Sequence, residues 1–128
     1  SLTELAIELN ELVQRTRSGE ATLEEMRGGT FTLTNVGIIG GTAFSPMINY
    51  PQAAILGMAR ARWQPVIVER ERGQETFGTG SAGTTEARYM LPLMLSFDHR
   101  VVDGADAARF VRIIVTAFED PEELLLTL

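Results

Sequence analysis

The sequence contains no cysteine and no lysine, and all 11 of its basic residues are arginine. Without cysteine there is no disulfide framework, no thiolate metal site and no cysteine nucleophile. Without lysine a phosphate loop of the G-x-x-x-x-G-K type is excluded. The all-arginine basic set has a plain reading, codon bias in a GC-rich bacterial genome. No segment approaches the ~20 consecutive apolar residues a membrane-spanning helix needs, and Ser1-Leu2-Thr3-Glu4 lacks the basic flank and cleavage site of a secretory signal, so the chain reads as cytoplasmic and not membrane-bound. Positive charge is scarce too: 17 acidic residues outnumber the arginines and leave a net charge of −6, which argues against a nucleic-acid partner, because no basic stripe is present to displace counterions. No G-x-S-x-G elbow supplies a serine nucleophile. What remains, 128 residues with 45% hydrophobic and 22% charged side chains, has the size and balance of one globular domain and excludes intrinsic disorder.

Hydrophobic periodicity divides the chain. Leu2, Leu5, Leu9, Leu12 and Val13 recur at helical spacing behind a possible Ser1-x-x-Glu4 capping box, which predicts an amphipathic helix from Ser1 to about Arg17, ended by Ser18-Gly19. Thr22-x-x-Glu25 repeats the capping signature before a single turn stopped by Gly28-Gly29. Thr30 to Val36 alternates apolar and hydroxyl side chains and predicts a strand with one face toward a core. The glycines from Gly37 to Gly41, with Pro46 and Pro51, mark a long irregular connection. Ala53 to Ala59 and Pro65 to Val68 read as short buried strands, and Arg88 to Ser96 as another that must be an edge or bulged at Pro92. The polar, glycine-rich stretch from Glu69 to Ala87 reads as an extended hairpin or loop. Ala107, Phe110, Val111, Ile114, Ala117 and Phe118 predict a second helix, followed by a short turn from Asp120-Pro121 through Leu126. The order gives an α+β fold with a mixed β-sheet and flanking helices.

Few residues can carry chemistry. The single histidine, His99, falls at the boundary between a strand and a helix, with Asp98, Arg100 and Asp103 crowded around it, where charged groups can fix the ring and tune its titration. A neutral imidazole there can accept a proton. Zinc prefers several His or Cys ligands, so no metal site is expected. Gly78-Thr79-Gly80-Ser81-Ala82-Gly83 matches G-x-G-x-x-G, but no helix pattern follows it, and nucleotide binding is not expected there. Thr34 projects a hydroxyl from a strand beside a glycine-rich loop, where it could donate to a developing oxyanion, although threonine is also an ordinary strand residue.

The stretch Asp98-His99-Arg100-Val101-Val102-Asp103-Gly104, preceded by Leu93-Met94-Leu95-Ser96-Phe97, resembles the catalytic signature of the 2-oxoacid dehydrogenase acyltransferases. These are the dihydrolipoamide acyltransferase components of the pyruvate, 2-oxoglutarate and branched-chain complexes. Two further stretches, Gly28 to Gly37 and Pro46 to Gly57, resemble the same family in the same order, joined by Gln64-Pro65-Val66, and the similarity runs from Leu2 to Leu128. The resemblance implies the chloramphenicol acetyltransferase-like fold, with this chain, residues 1–128, as the C-terminal half of the catalytic domain. The N-terminal half, the lipoyl domain and the subunit-binding domain are expected to be absent. It implies a homotrimer with sites at subunit interfaces, assembled alone or as a 24- or 60-subunit core with the other dehydrogenase complex components. No tightly bound cofactor is implied; coenzyme A and a lipoyl-lysine are substrates.

By the same resemblance His99 is the general base that takes the proton from a coenzyme A or dihydrolipoamide thiol. Asp103 supports that site through ion pairing and the turn at Gly104, and Thr34 stabilises the oxyanion from a neighbouring subunit. The chemistry suits the residues. A thiol of pKa ~8.5 is mostly protonated at neutral pH, and an imidazole with an ordinary pKa of ~6.5 is matched to remove its proton as attack begins. Acyl transfer would pass between two bound thiols through a tetrahedral intermediate, without an acyl-enzyme. Ile55-Leu56-Gly57 and Asp98-His99-Arg100 resemble the acetyl and branched-chain types more than the succinyl type. Arg60, Arg62, Arg88 and Arg100 are the nearby cations for coenzyme A phosphates, with none assigned. The connection between Glu69 and Ala87 is longer than the family's usual turn. A reading of another class makes the chain an assembly element, contributing its first helix and Leu124-Leu125-Leu126 to a trimer or hollow core without catalysis.

Overall fold

The computed structural model describes residues 1–68 and 84–122. The elements in chain order are helix α1 (Leu2–Ser18), strand β1 (Thr32–Asn35), a 3-10 turn (Gly37–Ile39), β2 (Ala54–Met58), β3 (Arg62–Val68), β4 (Thr84–Met90), β5 (Leu93–Phe97) and helix α2 (Gly104–Glu119). Strands β1, β2 and β5 form one sheet with β2 in the middle, and β3 and β4 form a second of two strands. The chain divides into two compact units, Ser1–Thr32 with Met47–Ile55 and Leu95–Leu128, and Leu33–Pro46 with Leu56–Met94.

In the first unit α1 begins with the predicted capping box: the Ser1 hydroxyl accepts from the Glu4 backbone N–H at 3.3 Å, and the Glu4 carboxylate accepts from the Ser1 backbone nitrogen at 2.7 Å. Two orphan donors of the first turn are thereby satisfied. Gly19 ends the helix in the left-handed region, φ 78°, and its N–H donates to the carbonyls of Arg15 and Thr16. Arg15 then lays its guanidinium across the Glu25 carboxylate at 2.6 and 2.8 Å, while the backbone N–H and hydroxyl of Thr22 donate to the same carboxylate at 2.8 and 3.0 Å. These contacts pull the Glu25 carboxyl down to about 2, the Thr22 backbone N–H contributing most. No residue of α1 is buried, and Leu2, Leu5 and Leu9 stand mostly in solvent. Helix α2 does find neighbours: Ala107 is buried, and Phe110 meets Phe31 edge to face at 5.6 Å. Gln52, just after the cis Tyr50–Pro51 bond, donates its amide to the Gly29 carbonyl at 3.0 Å and accepts from the Thr32 hydroxyl.

In the second unit the irregular connection after β1 is held by backbone bonds from Val36 N–H to Met58 O at 3.0 Å and from Arg60 N–H to Gly41 O at 2.7 Å. Glycine is required where chains approach this closely. A Cβ on Gly37 would lie 3.0 Å from the backbone of Ala59 and Arg60, and one on Gly57 would lie 2.5 Å from the ring of Phe44. Leu56 and Ala59 are buried beside these contacts. Strands β3 and β4 pair antiparallel from Arg62 opposite Met90 to Val68 opposite Thr84, with Trp63 against Tyr89 at 5.3 Å.

Two expectations are corrected. The apolar run Arg88 to Ser96 is two strands, because Pro92 has no N–H for a ladder and its carbonyl turns aside to accept from Ala59 at 3.1 Å. The run Pro65 to Val68 is not buried: alternate residues of β3 face solvent, Trp63 and Ile67 among them, because nothing among the described residues covers that face of a two-stranded sheet. The Gly78 to Gly83 motif, residues 69–83 of the connection from Glu69 to Ala87, and Leu124 to Leu126 lie outside the described residues, while Thr84 to Ala87, expected within that connection, open β4.

Candidate active site

Strand β5 ends at Phe97, α2 begins at Gly104, and the six residues between them form the turn that carries His99. Asp98 organises it. Its backbone N–H donates to the Ala53 carbonyl at 2.8 Å, extending the attachment of β5 by one bond, and its carbonyl accepts from both Val101 and Val102 at 2.9 and 3.0 Å, which closes the turn. Its carboxylate accepts the Arg100 backbone N–H at 2.9 Å and the guanidinium through Nε at 2.9 Å and Nη2 at 2.6 Å. That grip, mostly from the guanidinium, lowers the Asp98 carboxyl to about 2, so it is ionised at any working pH, and it raises the Arg100 pKa in turn.

His99 sits between these two residues with its side chain exposed, its ring centroid 5.7 Å from that of Phe97 and inclined to it by 39°. An exposed imidazole on a turn closed at both ends can accept a proton from a group brought to it. Asp103 plays another part. It is the N-cap of α2: its carboxylate accepts from Asp106 N–H at 2.8 Å and its carbonyl from Ala107 N–H at 3.0 Å. Among the described residues Asp103 forms no salt bridge, and the ion pair beside His99 is that of Asp98 with Arg100.

Thr34 lies on β1 in the second unit, half-buried on the same side of the strand as Thr32, whereas Leu33 between them is 64% exposed. The threonines take the covered side of this strand. His99 and Asp103 therefore share one turn, and Thr34 belongs to the other unit. The sequence carries no signal for Phe97 beside His99 or for the partners Asp98 takes. The acidic and basic neighbours of His99 were visible, but several pairings among them were equally open. No group of His, Cys, Asp or Glu among the described residues could hold a metal ion.

Residues 1–126 match the family described as 2-oxoacid dehydrogenases acyltransferase (catalytic domain). The chain is 40% identical over 119 residues to the dihydrolipoyllysine-residue succinyltransferase component of the Bacillus subtilis 2-oxoglutarate dehydrogenase complex, covering 93% of this chain and 26% of that protein. It is 42% identical over 126 residues to the acetyltransferase component of the Azotobacter vinelandii pyruvate dehydrogenase complex, covering 98% of this chain and 18% of that one. Among solved structures, the Azotobacter vinelandii dihydrolipoamide acetyltransferase, studied for the role of a serine, a histidine and an asparagine in its catalytic mechanism, superposes with a TM-score of 0.80 at 41% identity, over 98% of this chain and 46% of that one. A truncated catalytic core of the 2-oxoacid dehydrogenase complex from Thermoplasma acidophilum gives 0.68 at 40% identity, over 94% and 47%. The chain thus spans about a quarter or less of these curated relatives and just under half of the solved cores, and its α+β elements follow the chloramphenicol acetyltransferase-like fold of those cores. On a match that leaves out only its last two residues, the chain belongs to the 2-oxoacid dehydrogenase acyltransferase family.

Proposed function

We propose that the protein carrying this chain moves an acyl group between the dihydrolipoamide of a lipoyl domain and coenzyme A, with His99 as the general base. The observation that carries this reading is the exposed His99 on its braced turn, in a chain with no other histidine and no cysteine. The imidazole takes the proton from the attacking thiol as the sulfur adds to the thioester carbonyl. The tetrahedral intermediate then collapses, expelling the second thiol, which recovers the proton. Negative charge on the carbonyl oxygen calls for a donor, and Thr34, contributed by a neighbouring copy, supplies it; one such donor is worth roughly 2.7–4 kcal/mol. In the Azotobacter vinelandii enzyme the histidine and asparagine named above are four residues apart, the spacing of His99 and Asp103 here. In this structure Asp103 caps α2 and so sets where the turn carrying His99 ends. The serine and histidine of that enzyme are 52 residues apart; Thr34 and His99 are further apart, with the long connection from Glu69 to Ala87 between them.

The working unit in this reading is a homotrimer or a larger core of trimers, completed by the N-terminal half of the domain and served by lipoyl domains in the cytoplasm. Coenzyme A and the lipoyl-lysine are substrates, and no resident cofactor is needed. The acyl group is acetyl or succinyl: the sequence motifs set the succinyl type behind the acetyl and branched-chain types, but a succinyltransferase matches at 40% identity beside an acetyltransferase at 42%, so that preference is dropped. Acyl transfer from acetyl or succinyl coenzyme A to dihydrolipoamide, with the mass in solution recorded on the same sample, tests the proposal. His99→Ala should lower the rate by about 10²–10⁴-fold, the usual worth of positioned acid–base catalysis. A normal rate in that variant would sink the assignment. The uncovered apolar face of α1 favours assembly as a second role for the chain; a monomer in solution with full activity would remove it.

A further inference from the structure

We infer that Asp98 is a positioning residue for His99, acting through its grip on Arg100 across the histidine. This rests on His99 being the base, and goes further by assigning what holds it. His99 has residue 98 on one side and residue 100 on the other, so a contact from 98 to 100 brackets its backbone. There are two such contacts of different kinds. The Arg100 backbone N–H donates to Asp98 Oδ1 at 2.9 Å, and the guanidinium spans both carboxylate oxygens through Nε at 2.9 and 3.1 Å and through Nη2 at 2.6 Å. The outer ends of the turn are fastened by the same residue, through Ala53 on one side and Val101 and Val102 on the other. Among the described residues, the hydrogen bonds that hold the segment from 98 to 102 all involve Asp98.

Exposure separates the two partners. The Asp98 side chain is 22% exposed and that of Arg100 is 88% exposed. A pair with one member so open to water contributes little to stability, because water and salt compete for the guanidinium. Its effect is directional. The planar fork on the carboxylate fixes the side chain that follows the histidine, and with it the peptide planes that set the imidazole's origin beside Phe97. Displacing a reacting group by about 1 Å can cost on the order of 10²-fold in rate. A small stability effect combined with a large rate effect is what distinguishes positioning from a structural role.

Four variants of the full-length protein test this, assayed with the same acyl-transfer reaction: Asp98→Asn, Asp98→Ala, Arg100→Ala and the double variant Asp98→Asn with Arg100→Ala. Asparagine retains an oxygen for the Arg100 N–H but not the charge that orients the guanidinium. Arg100→Ala is the safeguard against misfolding, since it removes an exposed side chain and leaves every backbone bond of Asp98 in place. The expected result is a fall in kcat of about 10-fold or more for Asp98→Ala and Arg100→Ala, with a smaller fall for Asp98→Asn. KM for both thiols should stay within about 2-fold and the melting temperature within a few degrees, and the double variant should be no slower than the worse single, because both changes break one contact. Wild-type kcat in Arg100→Ala, or rate losses that multiply in the double variant, would overturn the inference. His99→Ala run alongside separates the two claims. If it is inactive while the Asp98 and Arg100 variants are fully active, only the positioning role fails; if it is fully active, the base assignment fails and the positioning role with it.

Discussion

Two turns of this molecule use the same device for different ends. At the foot of α1 the carboxylate of Glu25 collects an arginine fork, a backbone N–H and a hydroxyl; at the end of β5 the carboxylate of Asp98 collects an arginine fork and a backbone N–H. Both carboxyls are held at about 2. The difference lies in what each spans. Glu25 reaches back to Arg15, ten residues earlier, and ties a helix end to the turn beyond it. Asp98 reaches only to Arg100 and encloses a single residue, the histidine. A long closure constrains the course of the chain, whereas a short one constrains a side chain. The same ion pair is thus an architectural tie in one place and a tool holder in the other.

The comparison can be broken most sharply at the turn carrying His99. Asp103→Ala removes the cap of α2 and should cost about 0.5–2 kcal/mol of stability, read from denaturant unfolding, while leaving the Asp98 to Arg100 contact intact. If Asp103→Ala instead lowered kcat with no loss of stability, the division of labour between the two aspartates would be wrong. Glu25→Gln should come next: a melting temperature lower by a few degrees with kcat per folded molecule unchanged, the reverse of the pattern expected for Asp98→Asn. A kcat loss in Glu25→Gln would erase the distinction between tie and tool holder.

Acid supplies the mildest test. Each carboxyl is depressed in the folded chain, Glu25 from 4.5 and Asp98 from 3.8, so each favours the folded state above its ordinary value. That contribution should fade as pH falls from about 4.5 toward 2, and be absent below the lowered values, where both states bind the proton alike. Followed by circular dichroism, Glu25→Gln should flatten part of this acid loss. An acid profile identical to the unsubstituted chain would show that the Glu25 tie is not felt by the fold.

Much of this arrangement could be read before any coordinates. The capping boxes at Ser1 and Thr22, the stop at Gly19 and the extent of α1 follow from side chains acting on their own backbone within three or four residues, and such local contacts are written directly in the order of residues. The strand at Thr32–Asn35 and the position of His99 at an element boundary were equally legible. What could not be read depends on contacts made elsewhere. Periodicity shows that Leu5 and Ile67 belong to apolar faces but not whether another layer exists to cover them, and in both cases the faces are open. Around His99, Asp98, Arg100 and Asp103 lie within six residues, too close for spacing to choose partners. The choice is made by the backbone: β5 hands Asp98 to Ala53, which turns its carboxylate toward Arg100, while Asp103 faces the free N–H groups at the start of α2.

The ring of Phe44 fills the space a side chain at Gly57 would claim, its tip 2.5 Å from where a Cβ would stand. Positions 44 and 57 therefore draw on one shared volume, although 13 residues separate them. Among variants of this chain the two should change together: a larger residue at 57 is tolerable only where 44 has shrunk to a small aliphatic, and a library randomised at both sites should recover large–small and small–large pairs while losing the large–large ones.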